Sequence, residues 1–160
     1  MNKSKTLLGS ILSLFIIIGL LQACSGNKST PSDENNSTQV EESATANDAM
    51  SNKGIGPISS VSLGAEVDQA MADKGQEIYE AKCTACHKPT EKFIGPAPLG
   101  VLDRRSPEWI MNMILNPEEM TQKDPDARAL LIEYNGSPMA NQSLTEEDAR
   151  NVLEYFRTIK

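Results

Sequence analysis

Cys83-Thr84-Ala85-Cys86-His87 sets two thiols three positions apart and follows them at once with an imidazole. That spacing is the one at which haem c is attached. Each cysteine sulfur can add to one vinyl group of the porphyrin, giving two thioether bonds. The next residue then lies under the ring, where its nitrogen reaches the iron as proximal ligand. Two other uses of paired cysteines fit less well. A zinc site needs four nitrogen or sulfur ligands, and the region offers only Cys83, Cys86 and His87, with no second pair elsewhere. A thioredoxin-like dithiol wants a βαβ context, and no strand pattern surrounds this one.

Outward from the motif, the chain punctuates itself into short helices. Asp68 to Ala81 carries Met71 and Ile78 seven apart, with Tyr79 near the same face, which predicts a helix. Gly75 inside it costs about 1 kcal/mol against alanine and so marks close packing. Lys88 to Val101 holds Pro89, Gly95, Pro96, Pro98 and Gly100 and reads as loop. Ser106-Pro107 is an N-cap followed by proline at the first helical position, opening a helix with Trp109, Ile110, Met113 and Ile114 that Pro117 stops. Asp124-Pro125 opens another, with Leu130, Leu131 and Tyr134 inside, and Asn135-Gly136 ends it. Thr145 with Asp148 three later forms a capping box, and Val152, Tyr155, Phe156 and Ile159 make the buried face of the last helix.

Lys74-Gly75-Gln76-Glu77-Ile78-Tyr79 runs into the paired-cysteine motif, Gly95-Pro96 follows, and Pro138-Met139 precedes the C-terminal helix. In that combination the chain from about Asp68 to Lys160 resembles a class I monohaem cytochrome c. The resemblance implies an all-α cytochrome c fold, about four short helices wrapped around one covalently attached haem. It implies that Gly75 lets the first helix cross the last, with Tyr79 interlocked with Tyr155 or Phe156. It gives the Pro96 carbonyl the hydrogen bond from the second nitrogen of His87, which fixes the tautomer of the ligand. Arg104, Arg105 and the indole N–H of Trp109 are candidate donors to haem propionates, against the simpler readings of solvated arginines and a core tryptophan.

The sixth iron ligand decides what such a haem does. A thioether is what this chain has to offer, and methionine with histidine raises the reduction potential. Seven methionines exist. Met1 is in the leader and Met50 in the linker, while Met71, Met111 and Met113 fall on predicted helices, where packing is the cheaper explanation. Met120 falls in a short loop between helices. Met139 follows Gly-Ser-Pro in the loop before the last helix, 52 residues past His87, where the resembled family carries its distal methionine.

The first fifty residues are of another kind. Lys3 and Lys5 precede the apolar run Leu7 to Leu21, short for a membrane span and right for a signal-peptide core. Leu21-Gln22-Ala23-Cys24 resembles a bacterial lipobox, so residues 1–23 are predicted to be a lipoprotein signal peptide and Cys24 the acylated mature N-terminus. An ordinary signal peptide or an uncleaved anchor helix are the alternatives. Residues 24–53 are polar and read as a disordered linker. Taken as a coil from Ser25 to Val67, the tether reaches roughly 35–40 Å. Residues 54–67 are more apolar and read as an extended arm on the domain of residues 68–160.

Composition sets the remaining bounds. Every aromatic residue except Phe15 lies at or after Tyr79, so the foldable part is a small domain to which a buried haem adds core. His87 is the only histidine, which removes bis-histidine ligation and multi-histidine metal sites. Net charge is −7. Removal of Lys3 and Lys5 with the leader leaves 13 basic against 22 acidic residues, or −9. Such a balance argues against nucleic acid and for redox partner proteins with basic docking faces. With Met139 on the iron no small-molecule substrate binds, and the expected activity is single-electron transfer from a quinol-oxidising complex to an extracytoplasmic terminal reductase or oxidase. Lys53-Gly54-Ile55-Gly56-Pro57 and Pro107-Glu108-Trp109-Ile110-Met111 also resemble small lipid-anchored cytochromes found beside nitrous-oxide reductases. A labile sixth ligand would instead suit a gas sensor or peroxidase-like enzyme, though no distal histidine exists for one. A fixed haem subunit of a respiratory complex is the third possibility.

Overall fold

A computed structural model of the chain describes residues 49–160. The predicted signal peptide, Cys24 and residues 25–48 of the predicted linker lie outside the described residues. From Gln69 on, the described residues form α1 (Gln69–Lys82), α2 (Pro107–Leu115), α3 (Pro117–Lys123), α4 (Pro125–Glu133) and α5 (Glu146–Phe156), with a 3-10 turn at Val101–Asp103. No strand occurs among the described residues. None of their helices is long and apolar enough to cross a membrane.

The caps are those the sequence spells out. Asp68 accepts the Met71 N–H ahead of α1, Ser106 the Trp109 N–H ahead of α2, and Asp124 the Ala127 N–H ahead of α4. Thr145 and Asp148 form the reciprocal capping box of α5. Helix α3 is the element the sequence reading lacks, since it treats Pro117 only as a stop. A proline has no N–H to lose at a first helical position, so Pro117 ends α2 and begins α3 at once. Met120 therefore sits inside a helix and not in a loop. It is wholly buried, and its sulfur accepts the Ile55 N–H.

Helices α1 and α5 cross at Gly75. A Cβ there would fall 2.0 Å from the Asn151 carbonyl oxygen, a distance no side chain tolerates. Tyr79 then meets both aromatic residues of α5, at 5.3 Å between ring centroids for Tyr155 and 5.8 Å, edge to face, for Phe156. The core gathers Trp109, Ile110, Met111 and Ile114 of α2 with Met120, Ala127, Ala149, Val152 and Leu153.

The arm enters this core through Ile58. It is gripped from below by Asn112, a buried residue of α2 whose amide donates to the Lys53 and Ile58 carbonyls and accepts the Ile58 N–H. The docked stretch starts earlier than predicted. Asn52, read from composition as linker, donates to Asp124 and Asp126, and its carbonyl accepts the Ser106 hydroxyl. At the other end Arg157 donates to the Gly64 and Glu66 carbonyls and to Glu154. Glu154 is buried and held on its far side by Arg150, so the carboxylate is paired on both flanks.

Candidate haem site

The last turn of α1 delivers the paired cysteines. Cys83 N–H donates to the Tyr79 carbonyl at 2.8 Å, and the Cys86 and His87 N–H groups donate back to the Cys83 carbonyl at 3.0 and 2.8 Å. The motif thus continues the helix as a tight turn, and its ends open onto one space. That space is a cavity of about 590 Å³ lined by Cys83, His87, Pro96, Met139 and apolar side chains including Leu99, Ile110, Met113, Ile114 and Val152. Cys86 and Met139 line an adjoining recess.

His87 is fixed from three directions. Its Nδ1 lies 2.7 Å from the Pro96 carbonyl. A carbonyl can only accept, so Nδ1 carries the proton and Nε2 keeps its lone pair for a metal. Gly95 lies against the ring as well, where a Cβ would fall 2.4 Å from Cε1 and 2.8 Å from Nδ1. The Gly95 N–H donates to the Cys86 carbonyl at 2.8 Å, and the Tyr79 hydroxyl donates to the His87 carbonyl at 2.9 Å. Burial, with Cys83 alongside, holds the Tyr79 phenol well above its ordinary range, so it remains a donor. Burial, and then Cys86, pushes the Cys83 thiol up to about 11, and Cys86 is exposed.

Met139 comes from the loop between α4 and α5. Asn135 and Gly136, at φ 59° and 73°, turn the chain out of α4, and the Asn141 amide ties the loop back to the Leu115 carbonyl. The two methionines weighed for the iron are thereby separated. Met120 is sealed in the core, while Met139 is half-buried on the cavity wall.

The three candidate propionate donors fare differently, although all line the cavity. Arg104 donates to the Leu99 carbonyl at 3.0 Å and so braces the proline-rich loop. Arg105 donates through one terminal nitrogen to the Arg104 carbonyl, and its guanidinium lies 5.2 Å from the Trp109 ring centroid. Its Nε is buried with no acceptor. The expectation for Trp109 is corrected: its indole N–H donates to Asp124 at 3.0 Å, a buried bond that leaves no hydrogen for a propionate. Trp109 supplies a wall and not a donor.

These residues fit a covalently held haem. The Cys83 thiol and a histidine poised through Nε2 face an apolar cavity, the Cys86 thiol lines the recess beside it, and the orphaned Arg105 Nε wants an anion such as a propionate carboxylate. Among the described residues no group of three or more His, Cys, Asp or Glu side chains gathers to hold a separate metal ion. Tyr134 and Gln142 also line the site and were not singled out in the sequence, whereas Gly95 was, as the residue before the proline that holds the histidine.

A sequence model of the family described as Cytochrome c matches residues 72–160. Over 68 residues the chain is 32% identical to a Cytochrome c-553-like protein of Synechocystis sp., taking in 39% of this chain and 65% of that protein, just under two thirds of its length. Among solved structures, a cytochrome c from Rhodothermus marinus is 46% identical, with a TM-score of 0.63 over 65% of this chain and 89% of that one. An engineered form of the Rhodothermus protein, solved with a carbene intermediate bound, is 45% identical, with a TM-score of 0.60 over 65% of this chain and 89% of that one. The chain belongs to the cytochrome c family and carries one covalently attached haem c.

Proposed function

We propose that this protein is a membrane-tethered single-electron carrier whose haem c is ligated by His87 and Met139. The observation that carries the reading is one cavity lined both by His87, fixed by Pro96, and by Met139. The bound haem supplies one-electron redox chemistry. The chain supplies everything that makes it a carrier. Cys83 and Cys86 hold the group covalently, and the Pro96 carbonyl keeps Nε2 of His87 free for the iron. Arg105 would offer its unpaired Nε to a propionate, and the Met139 sulfur would be the second protein ligand to the iron, which would raise the potential and leave the iron no site for a substrate.

Electrons enter and leave at an edge. Exposed Cys86 lies beside Gly95 in the same recess as Ile94, and Phe93 and Ile94 are both about half exposed. That apolar rim suits brief protein contacts. The net charge of −7 over the full sequence favours the approach of partners with basic faces. The proposed route runs from a quinol-oxidising complex to an extracytoplasmic terminal reductase or oxidase, with Cys24 as the lipid anchor and the polar linker as the leash. A nitrous-oxide reductase as acceptor rests on sequence resemblance alone. The two stretches that carry that resemblance pack on each other, Gly54 against Trp109 and Lys53 paired with Glu108.

Optical and Raman spectra of the ferric and ferrous protein, with and without carbon monoxide, test the reading. A low-spin His/Met signature that carbon monoxide leaves unmoved, and that Met139→Ala abolishes, is the expected result. High-spin iron or ready carbon monoxide binding in the native chain would replace the carrier with a sensor or peroxidase-like protein.

A further inference from the structure

The docked arm reaches a wall of the haem cavity by way of Asp124. Asp124 is 3% exposed and joins three elements. Its Oδ1 accepts the Trp109 indole N–H at 3.0 Å and the Ala127 N–H at 2.9 Å, and its Oδ2 accepts the Asn52 amide at 2.8 Å. Asn52 is also the turn that starts the arm, since its Oδ1 accepts the Gly54 N–H at 2.8 Å. Gly54 then passes so close to the tryptophan that a Cβ there would lie 3.2 Å from Trp109 Cδ1 and 2.8 Å from the Met120 sulfur. The ring held in this way is 4% exposed, lines the cavity, and carries the Arg105 guanidinium beside it.

We propose that Asp124 is a positioning residue of the haem site, and that the arm beginning at Asn52 is the element that sets it. With the arm seated, Asn52 and the N-terminus of α4 hold the carboxylate in one orientation. The carboxylate in turn holds the indole, and the indole fixes one wall of the cavity and the place of Arg105. With the arm released, Asp124 loses a donor, Gly54 withdraws from the ring, and the wall and its arginine relax together. The arm is thus a working part of the redox centre and not only a strap. Both the potential of the haem and the environment of Trp109 should depend on whether it is docked. This rests on the haem reading above and adds a residue and an element that attach neither to the iron nor to the porphyrin.

The test uses the full haem-loaded chain and the fact that Trp109 is its only tryptophan. Asn52→Ala removes the arm's hold on Asp124 without touching the cavity, and Gly54→Ala pushes the arm off the ring by a different route. Thr145→Ala, which removes the cap of α5 and whose side chain bonds only to Asp148, serves as the matched destabilised control. Each is measured by spectroelectrochemical titration and by ultraviolet resonance Raman of the indole. Both arm variants are expected to shift the midpoint potential and the indole N–H band together, while Thr145→Ala lowers the melting temperature and moves neither. Arm variants that only lose thermal stability would overturn the proposal. So would an indole band that moves while the potential stays fixed. A native protein without a His/Met spectrum would instead undo the carrier reading, an outcome visible before any variant is made.

Discussion

At the scale of single residues, the chain separates two methionines that composition alone treats alike. Met120 lies in a fully packed core, and Met139 lies on the cavity wall. Met120→Ala should cost about 2–5 kcal/mol in denaturant unfolding and leave the iron spectrum unchanged. Met139→Ala should convert the spectrum while costing much less. A Met120 variant that altered the iron spectrum would reverse the assignment. Gly95 gives a second residue-scale expectation. With a Cβ 2.4 Å from the imidazole, Gly95→Ala must turn the His87 ring or pull the Pro96 carbonyl away, weakening the bond that fixes the tautomer. The expected readout is a shifted iron–histidine stretching band in the ferrous variant's Raman spectrum, with the thioether links intact. The sequence already named the motif, Pro96 and Met139, which the fold brings to one cavity and its adjoining recess. It could not place Trp109, because a tryptophan's partner is a matter of which carboxylate folds against it. Asp124 is visible in sequence only as a cap, fifteen residues away.

At the scale of elements, the crossing of α1 and α5 and the clamp on the arm hold the domain together. Gly75→Ala puts a methyl group 2.0 Å from the Asn151 carbonyl oxygen, and the crossing must open. A loss of about 1–3 kcal/mol or more is expected in urea titrations, with the Tyr79–Tyr155 contact loosened. Asn112→Ala strips the arm's Ile58 N–H and two carbonyls of their partner, at about 1–3 kcal/mol for each group left dry. Helix α5 adds a pH dependence. The Thr145 N–H and then its hydroxyl hold the Asp148 carboxyl below its usual range. The cap's contribution is therefore complete above the unfolded-chain value of about 4 and is lost as pH falls through the lower folded one. Asp148→Asn should be less stable than the native chain at neutral pH, the gap closing in acid. Helix boundaries were legible because Ser106, Asp124 and Thr145 announce themselves. Helix α3 was not, because proline is both a terminator and a first residue, and only the burial of Met120 decides between them.

At the scale of the whole molecule, charge and chain order matter most. With 22 acidic against 15 basic residues, electron transfer to a basic partner should slow steadily as salt rises from about 10 mM to about 500 mM, where the screening length shrinks to a few ångströms. Stopped-flow mixing over that range checks it, and a flat profile would remove net charge from the account of partner choice. The arm is the least local part of the architecture. Asn52 finds Asp124 across 72 positions, and Arg157 reaches back across 93 to Gly64. Contacts so distant form late, after the loops they close have been drawn together. During synthesis the arm emerges first, yet its seat is finished only when the last helix has been made. Between those moments Cys83, Cys86 and His87 are already out, and the wall that Trp109 will form has nothing yet to hold it. The arm is the first piece of the domain to be written and the last to be latched, so until α5 is made the haem cavity has a wall that nothing yet closes.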